Sequence, residues 1–133
     1  MSRRWGETVT SKTSVYVYNR TREAFLTLEA AVADTYVLRL VGLLGKAKRW
    51  ARDGGGLWIV PSRGVHTIGM LFPIDLVFLN DQKVVVRVEE FVRPFSISGV
   101  CLKARSVLEL PPHTVFRTQT QVGDVLEIGP RSH

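Results

Sequence analysis

A chain of 133 residues, 45% hydrophobic and 23% charged, is long enough to close one hydrophobic core and too apolar to remain disordered. Its single cysteine, Cys101, excludes an internal disulfide and a thiolate-rich metal site. The excess of basic over acidic residues gives a net charge of +6, which permits weak attraction to nucleic acid, anionic membrane or acidic proteins and specifies none of them.

Residues 1–12 are polar and without periodicity, so a loose tail is expected ahead of one domain spanning 13–129. Met1–Glu7 leads into threonine, serine and lysine rather than an apolar run, and a secretory signal is not expected. Ser14–Asn19 is rich in β-branched and aromatic residues and predicts a strand, closed by a turn at Asn19–Arg22. Phe25–Ala33 reads as a second strand, although its alanines and Glu29 would tolerate a helix. Asp34 is a suitable N-cap, and Val37, Leu38, Val41 and Leu44 form one apolar stripe, which predicts a short amphipathic helix ending near Gly45. Lys46–Arg52 adds a helical turn before the Gly54-Gly55-Gly56 loop stops it.

From Leu57 onward the pattern is β. Strands are expected at Leu57–Val60, Val65–Met70, Ile74–Leu79, Lys83–Phe91, Arg105–Leu110 and Val125–Ile128, with Asn80-Asp81-Gln82 as a hairpin turn. Arg93-Pro94 and Pro111-Pro112 are breaks, Thr114–Gln121 is open between helix and strand, and Val122-Gly123-Asp124 is a turn. Many short strands around one main short helix predict a mostly-β fold, a small β-barrel or sandwich-like single domain. The longest apolar-looking stretch, Gly64–Leu79, is interrupted by His66, Thr67, Pro73 and Asp75 and is too short to span a bilayer as a helix. A cytoplasmic location is the resulting expectation.

The same interruptions are where chemistry would sit. His66 and Asp75 can form an imidazole–carboxylate pair if their strands are neighbours. The plainer reading is that Asp75 accepts backbone N–H bonds where its strand begins, with His66 a satisfied core histidine. A cleft lined by His66, Thr67, Met70 and Asp75, flanked by Trp58, would suit a small polar ligand, peptide or glycan. His66 and Met70 are softer-metal ligands, but two ligands make no site, and on a strand they stand about 14 Å apart. No metal and no cofactor are expected.

Lys46, Lys48, Arg49, Trp50 and Arg52, with Arg63 nearby in sequence, form the best nucleic-acid candidate, cations around one stacking ring. The plainer alternative is a solvated helix end. The chain has no GxxxxGK[ST] or GxGxxG loop, no GxSxG elbow and no HExxH. Cys101 reads as a small hydrophobe, and Glu89-Glu90 fall on opposite faces of a strand.

Gly42-Leu43-Leu44, Gly56-Leu-Trp-Ile, the run His66-Thr67-x-x-Met70-x-Phe72-Pro73-Ile74-Asp75-Leu-Val-Phe78-Leu, then Val107-Leu-Glu-Leu110 and Val122-Gly-Asp-Val125 follow in order. Together they make the chain, over about residues 14–128, resemble domain-of-unknown-function family 192, a widespread prokaryotic group. The resemblance implies a small barrel-like domain and no established activity, cofactor or catalytic residue. Many relatives look exported or lipid-anchored; since no signal is expected here, no envelope role is carried over. Pro111-Pro112-His113 replaces the glycine that commonly follows the VLEL-type strand, so His113 inherits no role. Three functions stay open: a module for an unknown small ligand or protein, a nucleic-acid or acidic-partner binder through 46–52, and a hydrolase-like enzyme using His66 with Asp75.

Overall fold

The computed structural model describes residues 14–33, 55–64, 72–94 and 96–131. The strands are β1 (Ser14–Asn19), β2 (Ala24–Ala33), β3 (Gly56–Ile59), β4 (Ile74–Leu79), β5 (Val85–Val92), β6 (Ser106–Leu110) and β7 (Leu126–Pro130), with helix α1 (Thr114–Thr118) between β6 and β7. They form one seven-stranded sheet in the order β5-β4-β6-β3-β2-β1-β7. Every neighbouring pair is antiparallel except β2 and β3. The mostly-β single-domain expectation therefore holds. The helix expected over 34–45 and the strand expected over 65–70 lie outside the described residues, and the helix that is described occupies the stretch the sequence left open.

The sheet curls until its two edges meet at one corner. The residues leading into β5 and β7 pair through a Val84–Val125 bridge. The Val85 N–H donates to the Asp124 carbonyl at 2.8 Å, and the Leu126 N–H donates to the Lys83 carbonyl at 2.9 Å. Beyond this corner the edges part, which gives a partly closed barrel and leaves fewer exposed backbone groups than an open sheet would.

One side chain set fills the concave side. Val15 and Val17 of β1, Leu26 and Ala30 of β2, Val77 and Leu79 of β4, Val85 of β5, Leu108 and Leu110 of β6, Leu126 of β7 and Val115 of α1 share one core. The other face of the middle strands is buried too, through Ile74, Leu76, Phe78 and Val107 and through Ala31, Ala33, Leu57 and Ile59. Strands covered on both faces need no polar alternation. That is why β4 and β6 are buried at every position, whereas β1 alternates buried and half-buried residues.

Local devices shape this sheet. The Asn80 side chain accepts N–H bonds from Gln82 and Val84 at 2.9 and 3.0 Å, which fixes the hairpin turn. A Cβ placed on Gly56 would lie 2.8 Å from the Glu109 carbonyl oxygen and 2.9 Å from Leu110 Cδ2, so β3 and β6 can approach this closely only with glycine there. At the closing corner, buried Asn19 donates to Asp124 at 2.9 Å and to Thr120 at 3.0 Å. Arg22 adds a 3.1 Å bond to the same carboxylate.

Candidate functional site

Asp75 sits at the start of β4, fully buried on the concave face. Its two carboxylate oxygens accept main-chain N–H bonds, one from Phe91 and one from Val115, each at 2.9 Å. Phe91 has a left-handed backbone, φ +54°, and lies where the β4–β5 register slips between Ile74 and Leu76. Asp75 thus pins a β-bulge in β5 and the first turn of α1 at once. Phe91 and His113, the residue preceding α1, stack over this point with ring centres 5.6 Å apart.

Trp58, on β3 opposite Leu108, packs half-buried against the concave core, and its indole Nε1 has no hydrogen-bond partner. The Lys83 ammonium lies 5.9 Å from its ring centre, within range of a cation–π contact. His66, Thr67 and Met70 lie outside the described residues, as do Lys46, Lys48, Arg49, Trp50 and Arg52. Among the described residues no cluster of three His, Cys, Asp or Glu side chains could hold a metal ion.

The unusual titratable group is one the sequence reading did not single out as a site residue. Glu109 lies on β6, directly across from Leu57 on one side and Leu76 on the other. Strand alternation places its side chain with theirs, on the face opposite Asp75 and Trp58. It is 3% exposed, and neither carboxyl oxygen has a hydrogen-bond partner. Burial without a compensating donor disfavours the charged form and pushes its pKa up to about 8. Glu109 is therefore a neutral acid at pH 7, held among apolar neighbours.

Glu109 is one of the residues lining a small cleft, with Gly55, Gly56 and Leu57 at the start of β3, Ile74 at the start of β4, and Leu110 and Pro111 at the end of β6. The cleft offers about 10 Å³, room for one water-sized group. Chemically, Glu109 carries one carboxyl proton donor that becomes an anion if a cation is brought to it. A visible signal was in the sequence: a lone acid inside the apolar run Val107-Leu-Glu-Leu110, followed by two prolines. Its meaning depends on both faces of β6 being covered, which a strand pattern alone does not disclose.

Comparisons with known proteins follow the fold. The model of DUF192, a family of uncharacterised proteins, matches residues 17–128. A UPF0127 protein of Pyrococcus furiosus is 26% identical over 114 residues, covering 82% of this chain and 94% of its own. A protein of unknown function from Novosphingobium aromaticivorans shares the fold with a TM-score of 0.68 at 16% identity, over 86% of this chain and 83% of that one. A candidate transcription regulator of Sinorhizobium meliloti gives a TM-score of 0.67 at 21% identity, over 90% of this chain and 95% of that one.

Proposed function

This chain belongs to the DUF192 family of uncharacterised proteins, and we propose that it is a binding module that captures a small polar group of its ligand at Glu109. The carrying observation is the buried carboxyl with no partner on either oxygen, on a residue that lines a cleft. Buried polar groups in folded proteins are ordinarily satisfied, and an orphan at a cleft wall marks a place where a ligand supplies the missing bond. The size of the cleft limits the inserted group to an amine or hydroxyl, with the rest of the small molecule or peptide outside it. An ammonium group favours the ionised carboxylate, so its capture releases the carboxyl proton. His66, Thr67 and Met70, which precede Ile74 in the chain, stay in the proposal as further contacts. Asp75 and Trp58 enter as supports from the other face.

Titration of the full chain with short alkylamines and matched alcohols, followed by NMR, tests this. Amine affinity is expected to rise as pH approaches 8, and Glu109→Gln is expected to abolish that rise. Equal amine binding by Glu109→Gln would overturn the assignment.

A second reading is a nucleic-acid or acidic-partner binder through Lys46, Lys48, Arg49, Trp50 and Arg52. It draws on the charge of that stretch and on the candidate transcription regulator among the structural relatives. Phosphate contacts weaken with salt, so oligonucleotide binding that is unchanged between low and high salt counts against it. A hydrolase using His66 and Asp75 would require Asp75 to share a carboxylate already holding two main-chain N–H groups. No helix among the described residues is long and apolar enough to cross a membrane. The cytoplasmic location expected from the sequence belongs to this proposal, and cell fractionation tests it.

A further inference from the structure

The connection from β5 to β6 carries three aliphatic side chains turned to solvent: Ile97 is 77% exposed, Val100 68% and Leu102 80%. This is not a loose loop. Ser98 between them is buried. The Cys101 N–H donates to the Arg63 carbonyl at 2.8 Å, and the Ala104 N–H donates to the Cys101 carbonyl at 3.0 Å. A Cβ placed on Gly64 would meet the Gly99 carbonyl and the Ser98 hydroxyl at 3.4 Å, so the loop lies flush against the turn after β3. Held at its base in this way, the loop displays its apolar tips.

Beside the tips lies a groove of about 350 Å³ lined by Pro61, Ser62, Arg63, Ala104 and Arg105. Its two walls are joined by the Ser62 N–H donating to the Arg105 carbonyl at 2.8 Å. Arg63 and Arg105 are exposed here, and exposed Lys103 follows Leu102 directly. The acid beside Arg105 is Asp81, 3.8 Å away, with both side chains largely in solvent. Such a pair contributes little and competes weakly with another anion.

From this arrangement we propose that the loop 96–103 and the Arg63–Arg105 groove dock the protein on an anionic phospholipid bilayer. Aliphatic tips enter the interface below the headgroups, and guanidinium groups hold the phosphates in bidentate fashion. The two features suit this occupant together. A nucleic acid would use the arginines and gain nothing from three solvent-facing aliphatic side chains, whereas an anionic interface rewards both. The net charge of +6 adds attraction of the same sign.

Co-sedimentation of the full chain with vesicles tests the proposal, using phosphatidylcholine alone and phosphatidylcholine mixed with phosphatidylglycerol. The protein is expected to sediment with the mixed vesicles and to stay in solution with phosphatidylcholine alone. Arg63→Glu with Arg105→Glu is expected to weaken binding by about tenfold or more, given the attraction each cation contributes near an anionic surface. Ile97→Ser with Val100→Ser and Leu102→Ser is expected to weaken it while leaving its salt dependence in place. These positions are exposed, so circular dichroism of each variant is expected to match the parent. Absence of binding to the mixed vesicles overturns the proposal. So does full binding by the serine variant, and so does preferential binding of an oligonucleotide that competes the protein off the vesicles.

Discussion

Glu109 holds its proton in the folded chain up to about pH 8, against an ordinary value of 4.5. Folding therefore takes up a proton between those two values. Its contribution to stability is fully present below 4.5 and is lost as pH rises through 8. At pH 7 the loss is of order 3 kcal/mol, taking about 1.4 kcal/mol per pKa unit. Glu109→Gln has no charge to suppress, so thermal unfolding followed by circular dichroism should show a flatter dependence on pH between 5 and 8 and a higher Tm at pH 8. An unchanged slope would mean that this carboxyl ionises freely in the fold. A group that weakens the protein near neutrality and satisfies no neighbour has no structural reason to be there, which is the residue-scale argument for a binding role.

At the scale of elements, Asp75 does the opposite kind of work. One carboxylate fixes two segments remote from it in sequence, the bulge at Phe91 and the start of α1 at Val115. Helix α1 is only five residues long, and a helix of that length does not hold itself together in water. Its position comes from Asp75, from buried Val115, and from the Thr114 and Thr118 hydroxyls donating to the Pro111 and Thr114 carbonyls at 2.7 and 2.9 Å. Asp75→Ala leaves the buried Val115 N–H and the part-buried Phe91 N–H without acceptors, at up to about 1–3 kcal/mol each. Urea unfolding should register a loss of roughly 2–6 kcal/mol, nearer the lower figure because Phe91 is partly exposed. A loss of ligand affinity with full stability would instead place Asp75 in the site.

For the whole molecule, closure of the barrel rests on the Asn19–Arg22–Asp124 network. Burial pushes the Asp124 pKa up, but hydrogen bonds from Asn19, Arg22 and the Gln121 main chain, together with the Arg22 charge, outweigh it and leave the group below its usual 3.8. A lowered acid stabilises the fold above its unfolded value, and that support is lost as pH falls through the lowered one. Asp124→Ala should therefore reduce Tm at pH 7, with the difference from the parent shrinking as pH drops below 3.8. Hydrogen exchange should report the same change locally, as faster exchange at Val85 and Leu126, whose N–H groups close the corner.

What the sequence by itself determined was local. The β-branched runs at Ser14–Asn19 and Ile74–Leu79, the turn at Asn80–Gln82, and the turn at Val122–Asp124, where Gly123 has φ +98°, were all legible. Each depends on residues adjacent in the chain, and together they were enough to reach the mostly-β class. Tertiary structure decided the rest, because the deciding contacts join distant residues. Asp75 could be read as half of a histidine pair or as a main-chain acceptor, and only the approach of Phe91 and Val115 shows what its two oxygens bind. Thr114–Gln121 has no strong periodicity, and it became helical where a side chain from β4 met it. Glu109 looked like an ordinary strand residue until β3 and β4 flanked it and its other neighbours excluded water. Burial is a property of what surrounds a residue, so a carboxyl with both oxygens unpartnered could be recognised only after the sheet had been assembled.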